Sequence, residues 1–149
     1  MKMKFATVLM SLLGLSMFAS LANAETVLEL SGNDTMQFDK KTFEVAAGEE
    51  IKLVFTNKGN LPKAAMGHNV VILKPGSDVM AFGAGAVAAA GTEYVPQSGP
   101  LAEQVVAATK LLGPGESDTI TFKLEAGEYT YICSFPGHYA LMKGVITAK

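Results

Sequence analysis

Arginine is absent from this chain of 149 residues: all 12 basic side chains are lysine. The flat guanidinium fork that suits phosphates and base edges is therefore missing, and 14 acidic residues leave a formal charge of −2. That balance argues against nucleic acid as a partner. Charge of either sign is scarce. With 17% of residues charged and 49% apolar, the chain can build a core, and disorder is a poor description of it. The length fits one domain and rules out a multidomain enzyme. No internal repeat is visible.

Cysteine is scarcer still: Cys133 stands alone and cannot pair within its own chain. Yet the N-terminus reads as an export signal. Lys2 and Lys4 precede an apolar run over residues 5–21 that ends in Ala22-Asn23-Ala24, the small-x-small pattern at which signal peptides are cut. A retained anchor is disfavoured, because the run is short, contains Ser11, Gly14 and Ser16, and has no charged stop-transfer flank. No cysteine near the cut offers a lipid attachment point. Residues 1–24 are therefore expected to be a signal peptide and residues 25–149 a periplasmic domain, with no stable membrane insertion after cleavage. A lone thiol in an oxidising compartment is an inert buried residue, a nucleophile or a metal ligand.

Alternating apolar positions predict strands over 26–30, 51–56, 69–73, 104–108, 118–124, 127–133 and 144–148, with 36–38 and 42–45 as strand pieces, separated by glycine-rich and polar turns. Residues 75–100 break the rhythm with an alanine and glycine tract, whose helix propensity is high only at Ala88-Ala89-Ala90. The profile is all-β: a Greek-key sandwich of seven or eight strands with one partly helical flap inserted.

Chemistry concentrates in the stretch from Cys133 through Ser134, Phe135, Pro136, Gly137 and His138 to Met142. It holds the only cysteine, one of just two histidines and a methionine. Pro136 fixes one backbone angle and Gly137 frees the next, so His138 can turn back toward Cys133. His68, in Met66-Gly67-His68-Asn69, lies far upstream in sequence, a gap that a sandwich closes easily. Two imidazoles and a thiolate in a plane with a weak axial thioether suit copper in electron transfer. A catalytic zinc site would want an open position and a nearby carboxylate base, and neither loop offers one. Copper delivery, a zinc-loaded form and a structural domain with a vestigial site remain as rivals. Met36, Met66 and Phe135 read either as core or as an apolar surface around the site.

The segments Gly32-Asn33-Asp34-Thr35-Met36-Gln37-Phe38, Gly59-Asn60-Leu61-Pro62-Lys63, Met66-Gly67-His68-Asn69, Thr109-Lys110-Leu111 and Cys133 through Gly144 occur in the order found in azurins. The chain thus resembles that group of blue copper proteins, within the cupredoxin family. The resemblance implies a monomeric, non-enzymatic electron carrier with one copper ion cycling between Cu(II) and Cu(I). His68, Cys133 and His138 would be equatorial ligands, Met142 the axial one, and the Gly67 carbonyl a distant contact. Backbone amides of Asn69 and Phe135 would face the thiolate. Met36, Leu61, Ala65, Met66, Phe135 and Ala140 would form a docking patch for redox proteins, a cytochrome c or a periplasmic reductase. The structural disulfide usual in azurins is missing, since Thr26 and Gly48 occupy the corresponding positions.

Overall fold

The computed structural model describes residues 25–149, so the expected signal segment lies outside the described residues. Eight strands form two mixed sheets. In one, β1 (Thr26–Gly32) runs parallel to β3 (Glu50–Asn57), which pairs antiparallel with β6 (Ser117–Lys123). The other sheet has the order β2 (Thr42–Val45), β8 (Lys143–Ala148), β7 (Gly127–Ile132), β4 (Val71–Leu73) and β5 (Val105–Ala108). Its β2–β8 pair is parallel and the others are antiparallel. This is the expected all-β sandwich.

The core lies between the sheets. β3 shows how alternation builds it: Ile51, Leu53 and Phe55 are fully buried, while Lys52, Val54 and Thr56 on the opposite face remain partly exposed. Leu28, Leu30 and Phe122 join them from the same sheet, and Ile72, Tyr129, Tyr131 and Ile146 from the other. Each such side chain contributes about 1.5–3 kcal/mol by leaving water. Tyr131 is buried with its hydroxyl satisfied, donating to the Lys40 carbonyl at 2.7 Å. Its ring fills the space above Gly144, where any Cβ would overlap it.

β4 is buried throughout because its sheet is covered on both faces. Ile72 enters the main core, whereas Val71 and Leu73 join Phe82, Ala86, Val95 and Ile132 in a second cluster beneath the flap. The single turn α1 (Lys63–Met66) precedes His68. The flap holds α2 (Val79–Ala86), a 3₁₀ turn at Val87–Thr92 and the short α3 (Gly99–Ala102).

Two local expectations give way. The triplet 36–38 forms only one bridge, Phe38 to Gly32, because Met36 sits at φ 55° and closes a turn through its N–H to the Asn33 carbonyl. The flap's α-helix lies at 79–86 and not at the alanine triplet. Asp78 caps it, its Oδ1 accepting from the Ala81 N–H at 3.0 Å, and Phe82 buries its inner face. A cap and a buried aromatic outweigh the cost of Gly83 and Gly85 within the helix. The triplet falls in the 3₁₀ turn, with Ala89 off helical angles.

Candidate metal centre

The stretch from Cys133 to Met142 is a loop closed on itself at the end of β7. The Cys133 N–H donates to the Met142 carbonyl at 3.0 Å and the Met142 N–H to the His138 carbonyl at 2.8 Å. The His138 N–H reaches back to the Phe135 carbonyl at 3.0 Å, a reversal that Gly137 permits at φ 82°. Opposite it, His68 is fixed between α1 and the 109–112 segment. Its N–H donates to the Leu112 carbonyl at 3.1 Å, and its own carbonyl accepts from the Leu112 N–H at 2.7 Å. Gly67 is buried in a notch, where a Cβ would lie 2.7 Å from the Lys63 carbonyl oxygen.

This folding brings His68, Cys133 and His138 together, all buried, with donor atoms within 4.8 Å of one another. Cys133 Sγ stands 3.8 Å from His68 Nδ1 and 3.5 Å from His138 Nδ1. Two donors about 2.0 and 2.3 Å from one ion, at a trigonal angle, stand ~3.7 Å apart. The three atoms are therefore spaced to share one metal ion. Met142 is fully buried beside them. Its methyl and the His68 ring both occupy the space next to Gly32: a Cβ there would overlap Met142 Cε and come 3.6 Å from His68 Cδ2.

The electrostatics agree with the spacing. Burial lowers the pKa of His68, against the opposing pull of the Asn33 carbonyl and the Asp34 carboxylate. Burial, then the neighbouring His68, pushes His138 down to about 4. Both rings are thus neutral at pH 7 and can offer a lone pair. Burial pushes the Cys133 thiol up to about 12, while the backbone N–H groups of Asn69 and Phe135 favour the thiolate. Two amides directed at a sulfur deep in the protein make sense once a cation supplies the missing charge. Soft sulfur with imidazole is a donor set for copper. No carboxylate joins the cluster among the described residues.

Asn69 ties the two halves of the site together. Its Oδ1 accepts from the Ser134 N–H at 2.8 Å and its Nδ2 donates to Ser134 Oγ at 2.9 Å. Of the apolar side chains near the site in sequence, Leu61 is 45% and Leu141 56% exposed. Ala65 and Ala140 are exposed, Met36 and Met66 are half-buried, and Phe135 is buried under the edge of the Tyr94 ring. His138 is only 3% exposed, its ring 4.7 Å from that of Phe135 and 5.0 Å from that of His68. The sequence by itself assigns no role to the side chain of Ser134 or to the missing side chain of Gly32. The only hint of either was position, one residue after the cysteine and one glycine at the end of a strand.

The model of the family of copper binding proteins that includes plastocyanin and azurin matches residues 24–149. Azurin-1 of Alcaligenes xylosoxydans xylosoxydans is 43% identical over 128 residues, covering 83% of this chain and 97% of that protein. The outer membrane protein H.8 of Neisseria meningitidis serogroup B is 43% identical over 122 residues, covering 79% of this chain and 64% of its own length. Among solved structures, reduced auracyanin of Roseiflexus castenholzii superposes with a TM-score of 0.73 at 38% identity, covering 83% of this chain and 97% of that one. An azurin, iso-2, of Methylomonas sp. strain J reaches the same TM-score of 0.73 at 33% identity, covering 83% and 98%. With its buried His-Cys-His cluster on a two-sheet sandwich, the chain belongs to the plastocyanin/azurin family of copper binding proteins and is a blue copper electron-transfer protein.

Proposed function

We propose that residues 25–149, freed from an export signal at 1–24, act in the periplasm as a monomeric one-electron carrier and not as an enzyme. The observation that carries the ligand assignment is the convergence of the only cysteine and both histidines in one buried cluster. His68 and His138 would bind through Nδ1 and Cys133 through its thiolate, with Met142 as weak axial ligand and the Gly67 carbonyl as a distant contact. Copper bound there supplies a one-electron Cu(II)/Cu(I) couple. The chain's part is to hold the donors still, so that little rearranges when the charge changes. The loop's own hydrogen bonds and the Asn69–Ser134 tie serve that end.

Electrons would enter and leave at His138, the ligand beside the rim formed by Met36, Leu61, Ala65, Met66 and Ala140, with Phe135 behind it. An apolar rim favours a small, short-lived contact with a redox protein, a cytochrome c or a periplasmic reductase. The test is the visible absorption and electron paramagnetic resonance spectrum of the mature domain with one equivalent of Cu(II), beside Cys133→Ser. The expected result is an intense blue charge-transfer band with a narrow copper hyperfine splitting, lost in the variant. A pale spectrum with ordinary tetragonal copper would overturn the carrier and favour copper handling.

A further inference from the structure

Beyond the loop that carries three of the candidate ligands, two consecutive residues of the flap, just after its 3₁₀ turn, have an uncommon backbone. Glu93 and Tyr94 lie at φ 58° and 63°, in the left-handed region that side-chain-bearing residues rarely enter. One such residue costs on the order of 1 kcal/mol, offset in part here because the N–H groups of Glu93 and Tyr94 close the preceding 3₁₀ turn on the Ala90 and Ala89 carbonyls at 3.2 and 2.9 Å. Both carbonyls go to the site. The Glu93 carbonyl accepts from Asn69 Nδ2 at 3.2 Å, and the Tyr94 carbonyl accepts from Ser134 Oγ at 2.7 Å.

These two bonds complete a closed network. Asn69 Nδ2 has two protons, one for Glu93 and one for Ser134 Oγ; the Ser134 hydroxyl, having accepted, donates its single proton to Tyr94. Asn69 Oδ1 takes the Ser134 N–H. The same dipeptide holds the neighbouring segments: Glu93 Oε2 accepts from the Leu111 N–H at 3.0 Å, and the Tyr94 ring packs edge-on against Phe135 at 5.4 Å. Asn69 follows His68, and Ser134 and Phe135 follow Cys133. Straightening either left-handed residue would swing a carbonyl away from this network.

We propose that Glu93–Tyr94 is a positioning element for the Cys133 side of the metal centre, its paired left-handed residues fixing Asn69, Ser134 and Phe135 and thereby the backbone around the sulfur. The element belongs to the flap, so the flap tunes the site without supplying a ligand. Hydrogen bonds to a cysteinate favour the electron-rich reduced centre and raise its potential. Loosening the element should therefore lower the potential. The inference rests on the carrier reading for its redox consequence and on geometry alone for its structural one.

The test compares Tyr94→Asn with Tyr94→Val. Both delete the ring, but asparagine tolerates the left-handed region and a β-branched valine opposes it. In the metal-free domain, the Ser134 amide should exchange with solvent about tenfold faster in the valine variant than in the asparagine one, as one weakened hydrogen bond predicts. Amides in the sheet of β1, β3 and β6 should be unchanged between the two. In the copper-loaded domain, the valine variant should show the lower potential and a shifted charge-transfer band. Ser134→Ala removes the donor to Tyr94 from the other side and should lower the potential in the same direction. Equal Ser134 exchange and equal potentials in the two Tyr94 variants would overturn the proposal. If the parent protein gives no blue band, the carrier reading fails and the exchange comparison still decides the positioning role.

Discussion

The ligand loop and the flap lie against each other but are held by different forces. The loop is short, closed by backbone bonds such as Cys133 N–H to Met142 and Met142 N–H to His138, and pinned by the polar Asn69–Ser134 tie. The flap's α2 rests on apolar contacts of Phe82 and Ala86 with Val71, Leu73 and Ile132. Directional bonds fix the atoms that must meet a metal, while non-directional burial suffices for the element that covers a sheet.

The heaviest blow to the flap is Phe82→Ala. Phe82 is fully buried, and its loss should cost about 3–5 kcal/mol through lost transfer energy and a cavity. Urea unfolding of the mature domain measures it; a loss well below this range would mean that packing does not hold the flap.

Acid strikes the other region. In the metal-free domain the His138 imidazole is held down to about 4 from its ordinary 6.5. Between these pH values the unfolded chain takes a proton that the folded site refuses. This contribution to stability is whole above 6.5 and falls as the pH drops toward 4, by up to about 3 kcal/mol. Unfolding at pH 7.5 and 4.5 should show the loss in the parent domain and a smaller one in His138→Gln. An equal loss in both would assign the acid sensitivity to other groups.

Asn69→Ala should cost about 2–3 kcal/mol, since it strands the Ser134 N–H, which Asn69 Oδ1 accepts at 2.8 Å, in a buried place. The comparison sharpens if copper also dissociates faster from this variant than from Phe82→Ala, because Asn69, the neighbour of His68, hydrogen-bonds directly to Ser134, the neighbour of Cys133.

Much of this was legible in advance, and the boundary is physical. Strands such as β3 announce themselves because a burial period of two is written in adjacent residues. The residues of the His68, Cys133 and His138 cluster could be singled out because cysteine and histidine are so rare in the chain. The flap's helix was not legible: Gly83 and Gly85 argue against it locally, and it exists because Phe82 and Ala86 find cover on a distant sheet. Gly32 and Ser134 stayed hidden for the same reason, since their importance comes from what folding brings beside them.

The smallest effect tests the seam between the two regions. The Tyr139 ring, one residue past His138, lies directly on Gly83 of α2, so a Cβ at Gly83 would overlap it. Helix propensity alone predicts that Gly83→Ala stabilises the flap by about 1 kcal/mol. Overlap with the ring predicts the reverse, a loss of about 1–3 kcal/mol as the aromatic side chain is pushed from its seat. Tyr139→Ser decides the matter by removing the obstacle. In its presence Gly83→Ala should cease to destabilise, giving a coupling between the two positions that independent sites lack. Additive unfolding energies would mean that flap and loop merely touch; a strong coupling makes the bulk at 139 and the missing side chain at 83 a matched pair, through which the packed region braces the bonded one.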